Sequence, residues 1–325
     1  MLFSSPLALF GTPFVTPRQV LGRLTFEQPP ANSKCPAPTS YLDQMCLTND
    51  DFRRLSVVSS LIQTLVPGSD PIAVFPYEHI YGVVARRRIA GDVEQNYSVG
   101  GNYLTKRYLQ GWIREKPQVA IYSADGLATS PALGPLDGIS NFTRSPELWF
   151  YLQQHYRQEA EPAPGVLLLR RDESRRAKWK SEEEEIASPT TAYLMKRGAP
   201  IDLGNLAPWP QGADFLKLTL TVRYPLRWKI LKPSQVIVDI KLADGTDKQT
   251  NIAVQPNEVN DVWIYPGDEF QLRGYFSGDS ADWRAAVPRF SVSRLVIRVE
   301  PFDWFSVAPT SISIHKIEAV RISSN

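Results

Sequence analysis

Along the first half of the chain, stretches with apolar residues at helical spacing alternate with short continuous apolar runs; after residue 212 the spacing drops to two. Asn49-Asp50-Asp51 precedes an apolar stripe of Leu55, Val58, Leu61, Ile62 and Leu65, which Pro67-Gly68 closes, so a helix is expected here. Pro71-Ile72-Ala73-Val74-Phe75-Pro76 is short and apolar on both parities, the mark of a strand covered on both faces. Gly100-Gly101-Asn102 leads into a second helix with Leu104, Tyr108, Leu109 and Trp112 inward, stopped before Pro117. Val119-Ala120-Ile121-Tyr122 repeats the buried-strand pattern, so Ile72 to Tyr122 predicts a right-handed strand–helix–strand crossover. Ser145-Pro146-Glu147 then reads as a helix start, with Ser145 capping, Pro146 at the first position and Glu147 on the positive end of the dipole. Leu148, Trp149, Leu152 and Tyr156 share a face of that helix, which is expected to run to about Arg157, and Val166-Leu167-Leu168-Leu169 supplies a last strand at the sheet edge.

Beyond Asp172 the pattern lapses. Asp172-Glu173-Ser174-Arg175-Arg176 and Glu182-Glu183-Glu184-Glu185 offer little to bury and read as a solvated linker or exposed helix. From Phe215 the alternation is that of strands: Phe215 to Val222, Val236 to Leu242, a run toward Ile252 and Val254, Val262 to Tyr265, Phe270 to Phe276, Leu295 to Val299 and Ile312 to Ile322. Ala243-Asp244-Gly245-Thr246 is the turn of a hairpin inside this series. The expected fold is therefore α/β plus all-β: a small three-layer α/β domain with a partly parallel sheet, then an antiparallel β-sandwich of jelly-roll or immunoglobulin-like kind. The boundaries read as an extended N-terminal segment at 1–48, the α/β domain at 49–171, a charged and Pro-rich linker at 172–212 and the sandwich at 213–325.

Composition agrees with two packed bodies. The 325 residues suffice for two cores, and a formal net charge of +2 gives no electrostatic footprint for nucleic acid. The 27 prolines, against 19 glycines, break any long helix in residues 11–50 and favour stiff loops. No apolar run approaches the ~20 residues that span a bilayer. Met1 to Phe10 is apolar without a basic flank, and reads either as a dangling strand or as the last turns of a membrane helix. Cys35 and Cys46 are the two cysteines and are close in sequence. A disulfide between them would close a loop worth ~3 kcal/mol and place the chain in an oxidising compartment; the alternative is two unlinked thiols. Without a nearby histidine they complete no zinc site, and no metal or cofactor is expected.

Candidate chemistry gathers at the carboxyl ends of the two buried strands, where open α/β sheets place ligands. Tyr77, Glu78 and His79 follow the first strand, Asp125 and Asp137 lie in the loop after the second, and Arg144 precedes the next helix. Asp125 and Asp137 could act as a carboxylate pair or hold a cation, although an acid beside glycine is ordinarily a turn residue. His155 and His315 lie in other elements, and no nucleophile elbow accompanies them. Gly100-Gly101 lacks the remaining glycines of a dinucleotide loop, and Arg86-Arg87-Arg88 reads as an exposed surface run. Trp228, Trp263 and Trp283 fall in the sandwich and are candidates for stacking on sugar rings, the alternative being core filling. Asn96-Tyr97-Ser98 and Asn141-Phe142-Thr143 are glycosylation sequons, meaningful in a secreted eukaryotic chain.

Pro71 to Tyr77, Val119 to Tyr122, Thr143-Arg144-Ser145-Pro146-Glu147-Leu148-Trp149 and Tyr156 together resemble the soluble C-terminal region of bacterial polytopic glycosyltransferases of the dolichyl-phosphate-mannose mannosyltransferase type. The resemblance covers about residues 52–170 and implies a small extracytoplasmic α/β domain that follows a membrane region. That family's catalytic acid lies between membrane helices, so no catalytic residue carries over. What the resemblance implies is a non-catalytic extracytoplasmic, membrane-associated module that binds a glycan, a lipid-linked sugar or a membrane-embedded partner; the small net charge gives no nucleic-acid partner. The alternative reading is a free-standing glycan hydrolase with Asp125 or Asp137 as acid/base and the sandwich as its carbohydrate-binding part.

Overall fold

The computed structural model describes residues 33–34, 47–76, 80–91, 102–123, 141–175, 179–187, 192–194, 200–204, 211–224, 234–267, 269–277, 287–300 and 309–324. A short antiparallel ladder of β1 (Ser33–Lys34) and β2 (Leu47–Thr48) comes first, in the register Ser33↔Thr48 and Lys34↔Leu47. The α/β module follows as α1 (Asn49–Leu65), β3 (Ile72–Phe75), α2 (Ile80–Ala85), α3 (Asn102–Glu115), β4 (Val119–Ser123), α4 (Asn141–Arg144), α5 (Pro146–His155), β5 (Tyr156–Ala163) and β6 (Val166–Arg171). Its sheet has the order β3-β4-β6-β5. β3 and β4 are parallel, from Ile72↔Val119 to Phe75↔Tyr122, and β6 runs antiparallel to both of its neighbours.

Every residue of β3 and β4 is buried, because both sheet faces are covered. Ile72, Val74, Val119, Ile121, Val166 and Leu168 pack under Leu55, Val58 and Ile62 of α1 and Tyr81 of α2. Ala73, Phe75, Ala120, Tyr122, Leu167 and Leu169 meet Tyr108 and Trp112 of α3 and Leu148, Trp149 and Leu152 of α5. The three layers follow directly from strands that are apolar on both parities.

Three expectations for this module need correction. The last helix stops at His155, and Tyr156 is extended at φ −133° and ψ 147°. From there the burial alternates along β5, which takes the sheet edge, while Val166–Arg171 lies inside the sheet between β4 and β5. Polar residues at every second position of Tyr156–Ala163 suit a strand with one face in water, and Gly165, at φ +73°, turns the chain into β6. Ser145 sits at the N-cap position, yet its hydroxyl makes no cap hydrogen bond; Trp149 N–H reaches the Ser145 carbonyl instead, at 3.3 Å.

The second module is an antiparallel β-sandwich. One sheet has the order β13-β10-β15-β7 and the other β12-β11-β14-β9, where β7 is Trp179–Ala187, β9 Ile201–Asp202, β10 Phe215–Arg223, β11 Ser234–Leu242, β12 Asp247–Val254, β13 Asn260–Ile264, β14 Val292–Glu300 and β15 Ser311–Ser324. β8 (Ala192–Leu194) also pairs with β15. Leu216, Leu218, Leu220 and Ile314 of one sheet face Val236, Val238, Leu295 and Ile297 of the other, which is the alternation read from the sequence. The β11–β12 hairpin forms as expected, with Gly245 at φ +89° and Thr246 N–H donating to Asp244 Oδ1 at 2.8 Å.

Part of the region read as a linker belongs to the sandwich. β7 pairs with β15 from Ile317↔Ala187 to Ser324↔Trp179, carrying Glu182 to Glu185 along a sheet edge. Lys180 to Glu185 are exposed and Ile186 packs on the core, and charge along an edge strand discourages pairing with other chains. Glu184 pairs with Arg321, Glu183 with Lys217 and Glu185 with Lys316. The expected strand at Phe270–Phe276 is instead a 3₁₀ helix, Glu269–Phe276. Its buried apolar side chains, Leu272, Tyr275 and Phe276, stand three and four residues apart, not two.

The modules do not pack separately. Phe142 and Trp149 of the first form one cluster with Phe215, Tyr265, Tyr275, Phe276, Val320 and Ile322 of the second. Arg175, buried where the chain leaves the first module, donates to the Gln153 carbonyl at 2.8 Å and to the Tyr275 carbonyl. Asp214, fully buried, accepts from the Tyr275 hydroxyl at 2.9 Å and from Ile322 N–H at 2.7 Å.

Candidate functional site

Of the residues expected at the carboxyl ends of the two buried strands, Tyr77, Glu78, His79, Asp125 and Asp137 lie outside the described residues, and Arg144 is the described member of that set. Arg144 is half-buried at the end of α4, which packs beside β13 and β12 of the sandwich. The same end of the sheet is stacked with aromatic rings: Phe75 lies 5.7 Å from Tyr122, and Tyr122 lies 5.0 Å from Phe276. The described part of this surface is thus a contact between modules.

Trp228, Trp283, Cys35 and Cys46 also lie outside the described residues. Trp263 is half-buried on β13, edge-on to Phe150 at 4.8 Å, with the Lys217 ammonium 5.3 Å from its ring centre. His155 Nδ1 is 3.3 Å from Glu173, and His315 Nε2 is 2.9 Å from the Thr221 hydroxyl. Among the described residues no group of three or more His, Cys, Asp or Glu could hold a metal ion. Among them, too, no helix is long and apolar enough to cross a membrane.

Sequence reasoning missed a groove on the outer face of the β12-β11-β14-β9 sheet. It encloses about 440 Å³ and is lined by Asp239, Ile240, Lys241, Asp247, Lys248, Gln249, Arg294 and Val296. The register explains the lining. Val236, Val238 and Ile240 point into the sandwich, so Asp239 and Lys241 point out. Asp239 faces Gln249 on one side and Val296 on the other, and Val296 faces Asp202. The next row sets Asp247 and Arg294 on either side of Lys241.

Two arginine–carboxylate forks stiffen this surface. Asp239 Oδ2 accepts from Arg298 Nε at 3.0 Å, while its Oδ1 accepts from Arg298 Nη2 at 3.2 Å and from Gln249 Nε2 at 2.6 Å. Asp202 takes Arg294 Nε at 3.2 and 3.0 Å together with Arg294 Nη2, and Gly204 N–H donates to it at 2.8 Å. Partial burial pushes the Asp239 carboxyl up, but the Arg298 and Gln249 hydrogen bonds outweigh it and hold the group below the usual carboxylate range. Hydrogen bonds from Arg294 and then Gly204 lower Asp202 in the same way. Arg294 and Arg298 sit four residues apart on β14, about 13 Å along the strand, with half-buried Val296 between them. The signal for this groove was in the sequence as charge at outward positions of two strands that were otherwise apolar, Asp239 and Lys241 in one, Arg294 and Arg298 in the other.

A second charged array occupies the outer face of the other sheet. Glu318, with 4% of its side chain exposed, lies against Lys316 and 3.5 Å from Lys217. These charges neutralise one another across β10, β15 and β7, and the array offers a ligand less than the groove does.

No protein-family model and no curated protein matches the sequence. Among solved structures, one of infectious bursal disease virus, Gx strain, is similar at 12% identity and TM-score 0.25, over 44% of this chain and 32% of that one. AlgX of Pseudomonas aeruginosa is similar at 12% identity and TM-score 0.20, over 41% of this chain and 25% of that one. PfGH50B is similar at 12% identity and TM-score 0.23, over 52% of this chain and 22% of that one. The chain spans about a third or less of the length of these structures, and at such scores the likenesses carry no argument.

Proposed function

We propose that this protein is a non-catalytic glycan-binding module whose ligand lies in the groove of the β12-β11-β14-β9 sheet. The observation that carries the reading is the half-buried Val296 set between two preorganised arginine–carboxylate forks. A sugar ring presents an apolar C–H face and a rim of hydroxyls. Val296 suits the first, and the fixed donors and acceptors of Arg298, Asp239, Gln249 and Arg294 suit the second. Because those side chains already hold one another in place, little conformational entropy remains to be lost on binding.

Hydrolysis at the same groove is the weaker reading. Asp239 and Asp247 both line it, but a glycosidase needs a carboxyl raised enough to carry its proton near neutral pH. Asp239 is shifted the other way. An extracytoplasmic location beside a membrane glycosyltransferase, as binding partner or substrate-side module, is part of the proposal and is supported by the sequence resemblance of residues 52–170.

The test is binding of the purified chain to a panel of immobilised oligosaccharides, with Asp239→Ala in parallel. Saturable binding to some members, weakened by at least about tenfold in the variant, is expected. Absence of binding across the panel, or binding that Asp239→Ala leaves unchanged, overturns the groove as the site.

A further inference from the structure

We infer that the groove takes an acidic oligosaccharide, with a ligand carboxylate held between Lys241 and Arg294; this rests on the glycan reading above. Lys241 and Arg294 are directly paired across β11 and β14, so two cations face the groove side by side. Like charges in opposed positions of neighbouring strands destabilise a sheet, and such an arrangement calls for a compensating anion. Arg294 is partly neutralised by Asp202, on the side away from Lys241. Lys241 makes no ion pair among the described residues, although Asp247 is its neighbour on β12. On the outer face, Arg294 and Arg298 are each forked onto a carboxylate, Asp202 and Asp239, and Lys248, opposite Ile240, leaves on the other face. Lys241 is therefore the cation of this face with room for a further anion.

A carboxylate between Lys241 and Arg294 would accept charge-assisted hydrogen bonds from both, at a point one row from Val296 and the Asp239 fork. The remaining sugar units then extend along β14 toward Arg298. About 13 Å of strand separates the two arginines, which accommodates more than one sugar unit. The result is a site that reads hydroxyls at the Arg298–Asp239–Gln249 end and negative charge at the Lys241–Arg294 end.

Isothermal titration with trigalacturonate and with the neutral α-1,4-linked galactotriose tests this. The acidic trisaccharide is expected to bind roughly tenfold tighter, about 1.4 kcal/mol, to weaken as salt is raised, and to lose its advantage in Lys241→Gln but keep it in Lys241→Arg. Lys241 is exposed, so these variants remove no core contact. Equal binding of both sugars overturns the acidic preference and leaves the glycan groove standing. Binding of neither overturns both.

Discussion

Phe142 and Phe215 stack with ring centres 4.8 Å apart and planes 26° apart, one on the last loop helix of the α/β module and the other at the start of the sandwich's β10. Trp149 closes on both, at 5.3 and 5.5 Å, so neither module covers its own aromatic residues without the other. Removing a buried phenylalanine leaves a cavity that such a packed cluster fills only in part. Phe142→Ala is expected to cost about 3–5 kcal/mol and to shift a single unfolding transition shared by both modules. Denaturant unfolding followed by tryptophan fluorescence and by far-ultraviolet circular dichroism checks it. Two separated transitions, with the sandwich midpoint unmoved, would contradict a common core.

A second expectation concerns acid. Burial raises the Glu318 carboxyl, but the Lys316 hydrogen bond and the Lys217 charge prevail and bring it below the ordinary value. The unfolded chain therefore takes up the proton first as pH falls. The stability that Glu318 contributes is whole above the unfolded value of about 4.3 and is lost as pH drops through the folded one. Glu173, Asp202 and Asp239 are lowered too and act with the same sign. Thermal melts from about pH 7 to pH 2.5 should show midpoints that fall below pH ~4.5, with a shallower fall in Glu318→Gln. An acid limb identical in the variant would remove Glu318 from the account.

The cysteine expectation lies outside the described residues and rests on the sequence: Cys35 and Cys46 are the two cysteines and are close together in the chain. Intact mass measured without reductant is expected to be lower than the reduced mass by two hydrogens. Two thiols titrating in the native, air-exposed protein would exclude the bridge.

Much of the architecture was legible because it rests on period. Ile72 to Phe75 and Val119 to Tyr122 are apolar on both parities, which leaves a two-sided parallel pair as the simplest solution. The alternation from Phe215 onward specified which side chains enter the sandwich. Errors fell where period and composition disagreed. Glu182 to Glu185 has nothing to bury, and what makes it a strand is the backbone ladder to β15, which leaves no trace in side-chain chemistry. Phe270 to Phe276 is apolar enough for a strand, yet its buried positions follow a helical spacing set by the aromatic seam. The groove escaped because no local motif marks it: Asp202, Asp239, Gln249, Arg294 and Arg298 come from four strands, and pairing alone assembles them.

The central claim is that ligand binds the outer sandwich face and not the carboxyl end of the α/β sheet. Methyl NMR of the full chain titrated with trigalacturonate tests this most directly. Saturable shifts are expected at the Val296 methyls on the groove floor, with Val74 of β3 unmoved. Shifts that centre on Val74 and leave Val296 in place would contradict it.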